Sequence, residues 1–146
     1  LPPFRGRVKR RVGPPTSATQ APVWVWCQWR DARTPRPDLR ARSHLPPGTA
    51  GVRLELRIEP ARLLCSDFEL WHYVLNGWHL PSSDSDERSF DASPDQGRRE
   101  ASWQRIFDLD GQHPRYARAR AAKSIQGVLW ELRPGDLRST TTFVAR

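Results

Sequence analysis

The sequence has no apolar run long enough to cross a membrane. A membrane span requires about 18–20 consecutive apolar residues, and the longest apolar stretches here cover only a few residues. The first 15 residues also contain no apolar segment of the kind that a secretory signal carries. The sequence therefore predicts no transmembrane role and no membrane partner.

Cysteine is scarce as well, since the chain contains only Cys27 and Cys65. Two cysteines are too few for the disulfide framework of a small secreted domain. Both have apolar neighbours, which favours two buried free thiols over a bridge and indicates a reducing, cytoplasmic location. Because there is no Cys-x-x-Cys pair and no Cys/His cluster with zinc spacing, we expect no metal site.

The common short motifs of catalysis and nucleotide binding are missing too. The sequence contains no Gly-x-Ser-x-Gly, no His-Glu-x-x-His, no P-loop and no dinucleotide-binding fingerprint. We therefore expect no cofactor, and the sequence leaves open whether the protein is an enzyme.

Positive charge is abundant. The chain has 24 Lys and Arg residues against 16 Asp and Glu residues, for a net charge of +8, and only Lys9 and Lys123 are lysines. Such an arginine excess is typical of the codon usage of a GC-rich genome, so it does not by itself indicate recognition. The excess lies in residues 1–42, where Asp31 and Asp38 are the acidic residues. If the excess is functional, the basic N-terminal arm would bind an acidic partner or nucleic acid.

The first 21 residues have the composition of a linker. They begin with Leu1-Pro2-Pro3, contain a second Pro-Pro pair and end near a polar Thr-Ser-Ala-Thr-Gln run, so they offer little apolar surface to bury. We expect residues 1–21 to be a disordered Arg- and Pro-rich arm, or a fragment of a missing N-terminal part. Residues 22–146 are expected to form a single α+β domain.

Within that domain the hydrophobic pattern predicts about four strands and two helices. Strands are predicted at 23–29, 52–59, 125–133 and 137–144, and helices at 66–77 and 93–108. The last two strands are predicted to form a hairpin, and residues 81–92 a solvated acidic loop. This order of elements is typical of an α+β domain with a small, mostly antiparallel sheet.

Two local patterns support these assignments. The strand at 52–59 alternates strictly, so its apolar side chains, such as Val52 and Leu54, are predicted to face the core and its charged ones to face water. Ser66 and Glu69 have the spacing of a capping box, which predicts that a helix begins at Ser66.

Five segments together carry a resemblance to a known family. They are residues 22–26, 37–40 with 44–46, 64–76, 102–109, and 125–126 with 130–132, and the Trp-His-Tyr-Val-Leu-Asn string at 71–76 is the most specific part. In this order they resemble a bacterial family, the domain of unknown function DUF3841, over about residues 22–146. The resemblance implies a bacterial, cytoplasmic protein, and it implies no activity and no catalytic residues.

One candidate cluster lies on the predicted helix. Glu69, His72, Tyr73 and Asn76 recur at helical spacing on one face. This face makes His72 a candidate catalytic acid or base and Asn76 a candidate ligand-binding residue. The alternative is a solvated helix face with a Glu–His pair.

Other candidates lie in a loop and on a strand. Arg40 and His44 are candidate ligand-binding residues in a Pro- and Gly-rich loop, because a guanidinium fork suits phosphate or carboxylate. An ordinary exposed arginine is the alternative there. Gln126 is a further candidate ligand-binding residue, and Glu131 is either a catalytic carboxylate in a pocket or an exposed strand end.

These observations favour a binding or regulatory module of unknown function. The alternative is a small nucleotide- or NAD-using transferase, similar to ADP-ribosyltransferases, with a polar pocket between the 40–44 loop and the 71–76 helix. The two differ in one testable respect. A transferase requires the candidate residues to converge on one pocket, whereas a binding module does not.

Overall fold

A computed structural model of the chain describes residues 2–111 and 118–146. It contains four α-helices, five strands and four short 3₁₀ helices. The helices are α1 (Pro2–Val12), α2 (Trp71–Leu75), α3 (Asp84–Ala92) and α4 (Gln96–Ser102); the strands are β1 (Val23–Gln28), β2 (Ala50–Leu56), β3 (Leu64–Asp67), β4 (Ile125–Leu129) and β5 (Leu137–Val144); the 3₁₀ helices are Pro60–Arg62, Trp103–Phe107, Arg120–Ala122 and Pro134–Asp136. The predicted α+β class is confirmed.

The strands form two antiparallel sheets rather than one. The three-stranded sheet has the order β1-β4-β3, and the two-stranded sheet pairs β2 with β5. In the larger sheet Gln126 of β4 lies between Trp26 of β1 and Ser66 of β3, so these three side chains share a face. A bulge follows Trp26, because the next pair joins Gln28 to Ile125.

The predicted hairpin between the last two strands is wrong, because β4 and β5 belong to different sheets. The physical reason is that β5 pairs with β2 from Ala50 to Leu56, and Arg62 holds the segment between β4 and β5 in place. Its guanidinium bonds both carboxylate oxygens of Asp136, at 2.6 and 3.0 Å, and donates to the Glu131 carbonyl at 3.2 Å. This contact ties the segment after β4 to the connection between β2 and β3, and the chain crosses to the second sheet.

The predicted start of a helix at Ser66 is also wrong. Residues 64–67 form β3, and the helix begins only at Trp71. Asp67 Oδ1 accepts from the amides of Glu69 at 3.0 Å and Leu70 at 3.4 Å, so its carboxylate closes a turn between strand and helix. The Ser-Asp pattern marks this turn and not a helix cap.

Residues 81–92 were predicted to be a loop, but 84–92 form α3. Ser83 accepts from the Asp86 amide at 3.1 Å and caps the helix. Phe90 is buried and stacks on the His79 ring at 4.0 Å. The second predicted helix is present as α4, and its cap is Asp95 rather than Ser93.

The arm predicted to be disordered contains α1. Val8 is fully buried against Leu64, Val128 and Trp130. The Trp130 indole donates to the carbonyl of Gly13 at 2.6 Å, which fixes the end of the helix. Composition suggested a linker, yet apolar side chains of this short helix attach it to the larger sheet.

The two faces of β2 are the reverse of the prediction. Val52 and Leu54 are about half exposed, at 56% and 47%, whereas Arg53 and Glu55 are partly covered. The covering element is the loop after β1, whose Arg36 lies 3.2 Å from Glu55. The alternation was identified correctly, but a polar loop covers the charged face.

The core lies on the larger sheet and beside α2. One buried cluster joins α2 to the 103–107 segment and consists of Leu70, Trp71, Val74, Leu80 and Ile106. Trp71 packs edge-on against Trp24 at 5.4 Å and donates to Ser66 Oγ at 2.8 Å. Across the described residues, no helix has the length and apolar character needed to cross a membrane.

Candidate functional site

A cleft lies between the loop after β1 and the two-stranded sheet. Its volume is about 440 Å³. The lining residues are Arg36, Pro37, Asp38, Leu39 and Arg40 of the loop, Arg53 of β2, and Thr141, Thr142 and Phe143 of β5. Three guanidinium groups therefore line one concave surface together with residues of β5.

Strand pairing explains why the sheet contributes these side chains. Arg53 lies directly opposite Thr141, so both project from the same face of the two-stranded sheet. Gly51 lies opposite Phe143 on that face, and a Cβ at Gly51 would overlap the Phe143 ring. The missing side chain at Gly51 thus leaves space for the tip of the Phe143 ring, which lines the cleft.

Arg40 is held in the cleft by Asp38. Its Nε and one terminal nitrogen bond the two carboxylate oxygens at 2.8 and 3.0 Å. These side-chain hydrogen bonds, together with a hydrogen bond that the Arg40 backbone amide donates, lower the pKa of Asp38 to about 2. The pKa of the Arg40 guanidinium is raised by the same side-chain bond.

Glu55 plays the corresponding role for the other two arginines. It lies 3.2 Å from Arg36 and 3.5 Å from Arg53. Arg53 Nε is buried and has no hydrogen-bond acceptor within the described part of the chain. With three guanidinium groups beside two carboxylates, the cleft has an excess of positive charge and an unsatisfied donor.

Of the six candidate residues, Arg40 is the one that lines this cleft. His44 lies a few residues further along the same loop, and its ring faces the Trp29 ring at 5.2 Å. His72 is exposed on α2, where Nδ1 lies 2.9 Å from the Glu69 carbonyl. Asn76 donates to the His72 carbonyl at 2.7 Å and closes the end of that helix.

A continuous series of rings, here called the aromatic row, connects the loop to α2. It runs His44, Trp29, Trp26, Phe68 and His72, with successive ring centroids 5.2, 4.5, 5.0 and 5.8 Å apart. Gln126 shares the sheet face of Trp26. The structure therefore places His44 and His72 at the two ends of the aromatic row, with Gln126 next to Trp26 within it. Asn76 lies at the end of α2, the helix that carries His72.

Glu131 lies apart from both the cleft and the aromatic row. It follows the end of β4, and its carboxylate accepts from Arg133 at 2.7 and 2.8 Å. Its carbonyl accepts from Arg62, as described above. These contacts place Glu131 in the connection that links the two sheets.

The two thiols are free, as the sequence predicts, but they are not buried as expected. Cys27 is exposed and Cys65 is half-buried. Their sulfurs lie 3.8 Å apart, and a hydrogen bond between them lowers the pKa of Cys65 to about 7 and raises that of Cys27. The local sequence contains no signal for this pairing.

Sequence reasoning missed most of the cleft. Arg36, Arg53, Thr141 and Thr142 come from three separate segments, and Arg53 had been assigned to a face open to water. Only the position of Arg40 in a Pro-rich loop indicated a site. The remaining residues are brought together by the pairing of β2 with β5, which spacing along the chain does not reveal.

Comparison with known proteins gives a family and no activity. A family model described as a domain of unknown function, DUF3841, matches residues 4–100. The match confirms the resemblance but begins inside α1, earlier than expected, and ends before β4 and β5. No curated protein and no solved structure matches the chain.

Proposed function

We infer that this chain, which belongs to the family of the domain of unknown function DUF3841, is a binding module that takes a phosphate-bearing small molecule. The observation that carries the proposal is the cleft, where Arg36, Arg40 and Arg53 converge with Thr141 of β5. Arginine forks and hydroxyl groups are well suited to bind phosphate oxygens.

The size and walls of the cleft support an organic ligand. Its volume of about 440 Å³ lies in the range of about 300–1,000 Å³ that is typical of small-molecule sites. Pro37, Leu39 and Phe143 give apolar wall beside the charged groups. The proposed ligand therefore has an anionic phosphate end and a less polar remainder.

The placement of the candidate residues supports a binding function over the transferase alternative. A transferase would require Arg40, His44, His72 and either Gln126 or Glu131 at one pocket. Arg40 lines the cleft, two histidines and Gln126 lie along the aromatic row, and Glu131 pairs with Arg133.

The basic arm is a separate part of the proposal. Lys9, Arg10 and Arg11 are exposed in the last turn of α1. This turn is the surface through which an acidic partner or nucleic acid would bind, with an affinity that falls as the salt concentration rises.

We place the protein in the cytoplasm, and the two free thiols support that placement.

Isothermal titration with inorganic pyrophosphate tests the cleft. Arg53→Gln and Arg40→Gln should each weaken binding by about tenfold or more, because each removes charged hydrogen bonds to phosphate. Arg42→Gln is the matched control, since Arg42 is an exposed arginine of the same loop that does not line the cleft. It should bind pyrophosphate like the wild type.

Two results would contradict this function. One is the absence of pyrophosphate binding to the wild type. The other is an equal loss of affinity in Arg42→Gln and Arg53→Gln, which would show that net charge, and not the cleft, attracts the anion.

A further inference from the structure

The pair of thiols is a second potential site, separate from the cleft. Cys27 and Cys65 belong to β1 and β3, the two outer strands of the larger sheet, and their sulfurs meet 3.8 Å apart over the central strand. Gly127 of β4 creates the space. A Cβ there would lie 2.7 Å from Leu63 Cδ1 and 2.8 Å from Cys27 Sγ, both too close for an ordinary contact.

The bulge in β1 contributes to this meeting. Trp26 pairs with Gln126 and Gln28 pairs with Ile125, so Cys27 is the extra residue of the bulge. A bulge redirects the side chain that it carries. Cys65 lies directly opposite Gly127 on the other side of β4, so both thiols reach over the same glycine.

The backbone spacing argues against a disulfide between them. Because β4 separates β1 from β3, the two backbones are about two strand spacings, or 9–10 Å, apart. A disulfide requires Cα atoms closer than about 7 Å. The sulfurs can approach each other over Gly127, but closing an S–S bond would require the strands to move.

The same spacing suits a bridging metal ion. Two thiolates on one tetrahedral ion, with metal–sulfur bonds of about 2.3 Å, lie about 3.8 Å apart. That is the distance observed between Cys27 and Cys65. We propose that these two cysteines bind a thiophilic divalent cation of the Zn²⁺ and Cd²⁺ class, with Gly127 as the residue that lets the Cys27 sulfur approach the central strand.

The binding step needs no redox partner. Each thiol gives its proton to solvent, and each sulfur then forms one bond to the cation, whose charge and oxidation state do not change.

Within the described residues there is no group of three or more His, Cys, Asp or Glu side chains that could hold a metal, so the two thiols would be the only protein ligands described for the cation. Water would complete the coordination from the exposed side of Cys27, so the ion would exchange readily.

Titration of the reduced full chain with Cd²⁺ tests the proposal. Binding is measured from the ultraviolet charge-transfer band between thiolate and cadmium. The wild type should bind one Cd²⁺ per chain. Cys27→Ser and Cys65→Ser should each weaken binding by more than about tenfold, since losing even a supporting group around a metal costs that much. Gly127→Ala should weaken it as well, while both thiols remain present.

Gly135→Ala is the matched glycine control, because a Cβ there meets nothing within 4 Å. It should bind Cd²⁺ like the wild type. Because Gly127→Ala places a methyl group inside the sheet and could prevent folding, the two serine variants are the decisive arms, and circular dichroism verifies that they fold. The proposal is overturned if the reduced wild type gives no band, or if either serine variant binds Cd²⁺ with unchanged affinity.

Discussion

At the residue scale, the Asp86 carboxylate makes polar contacts through both of its oxygens. Oδ2 accepts from the Ser82 amide at 2.7 Å and lies 3.3 Å from His79 Nε2, and Oδ1 accepts from Arg98 at 2.7 Å. These contacts join α3 to α4 and to the segment that precedes α3. They hold the pKa of Asp86 well below its usual value, with the Ser82 amide as the largest cause.

The lowered pKa predicts how Asp86 affects stability. A carboxyl group whose folded pKa is lowered stabilises the fold above its unfolded pKa, near 3.8, and loses that contribution as the pH falls through the folded value. Asp86→Asn should reduce the free energy of unfolding at pH 7 by about 1.5–3 kcal/mol. Below about pH 4, the free energy of unfolding of Asp86→Asn should fall less steeply with decreasing pH than that of the wild type.

Urea unfolding followed by circular dichroism at several pH values measures this difference. Asp91→Asn is the control, because Asp91 is an exposed carboxylate on the same helix. It should follow the wild-type curve. A constant offset between Asp86→Asn and the wild type down to the acid transition would show that the charge of Asp86 does not matter.

At the element scale, α1 shows how a short helix joins a sheet through buried apolar side chains. Val8 has no exposed surface, and it packs against β3, β4 and Trp130. The neighbouring Lys9 is exposed on the same helix. The family match, which begins at residue 4, treats this helix as part of the domain.

Substitution at Val8 tests that attachment. Val8→Ala removes two buried methyl groups and should lower the free energy of unfolding by about 1.5–3 kcal/mol. Lys9→Ala should change it by less than about 0.5 kcal/mol, because it alters only exposed surface. Urea denaturation compares the two, and equal stabilities would mean that α1 does not pack on the sheet.

Sequence patterns predicted some elements well and others poorly, for physical reasons. The strand at 137–144 was predicted with its observed bounds, because turn residues precede a β-rich run. The Ser66 cap pattern failed because β4 offered residues 64–67 a strand partner from far along the chain. Local propensity cannot include such a distant partner.

At the scale of the whole molecule, the sites depend on contacts between distant segments. Arg40 could be selected from its loop, but Arg53 and Thr141 join it only because β2 pairs with β5. The cysteines are 38 residues apart and meet only because β4 lies between their strands. The α+β class follows from the order of elements, whereas these sites follow from strand pairing.

The measurement that tests the central claim most directly is a nuclear magnetic resonance titration of the ¹⁵N-labelled chain with pyrophosphate. Our account predicts that the largest amide shifts occur at residues 36–40, at Arg53 and at Thr141 and Thr142, which line the cleft. Shifts confined to Lys9, Arg10 and Arg11 of α1, or an unchanged spectrum at the cleft, would contradict it.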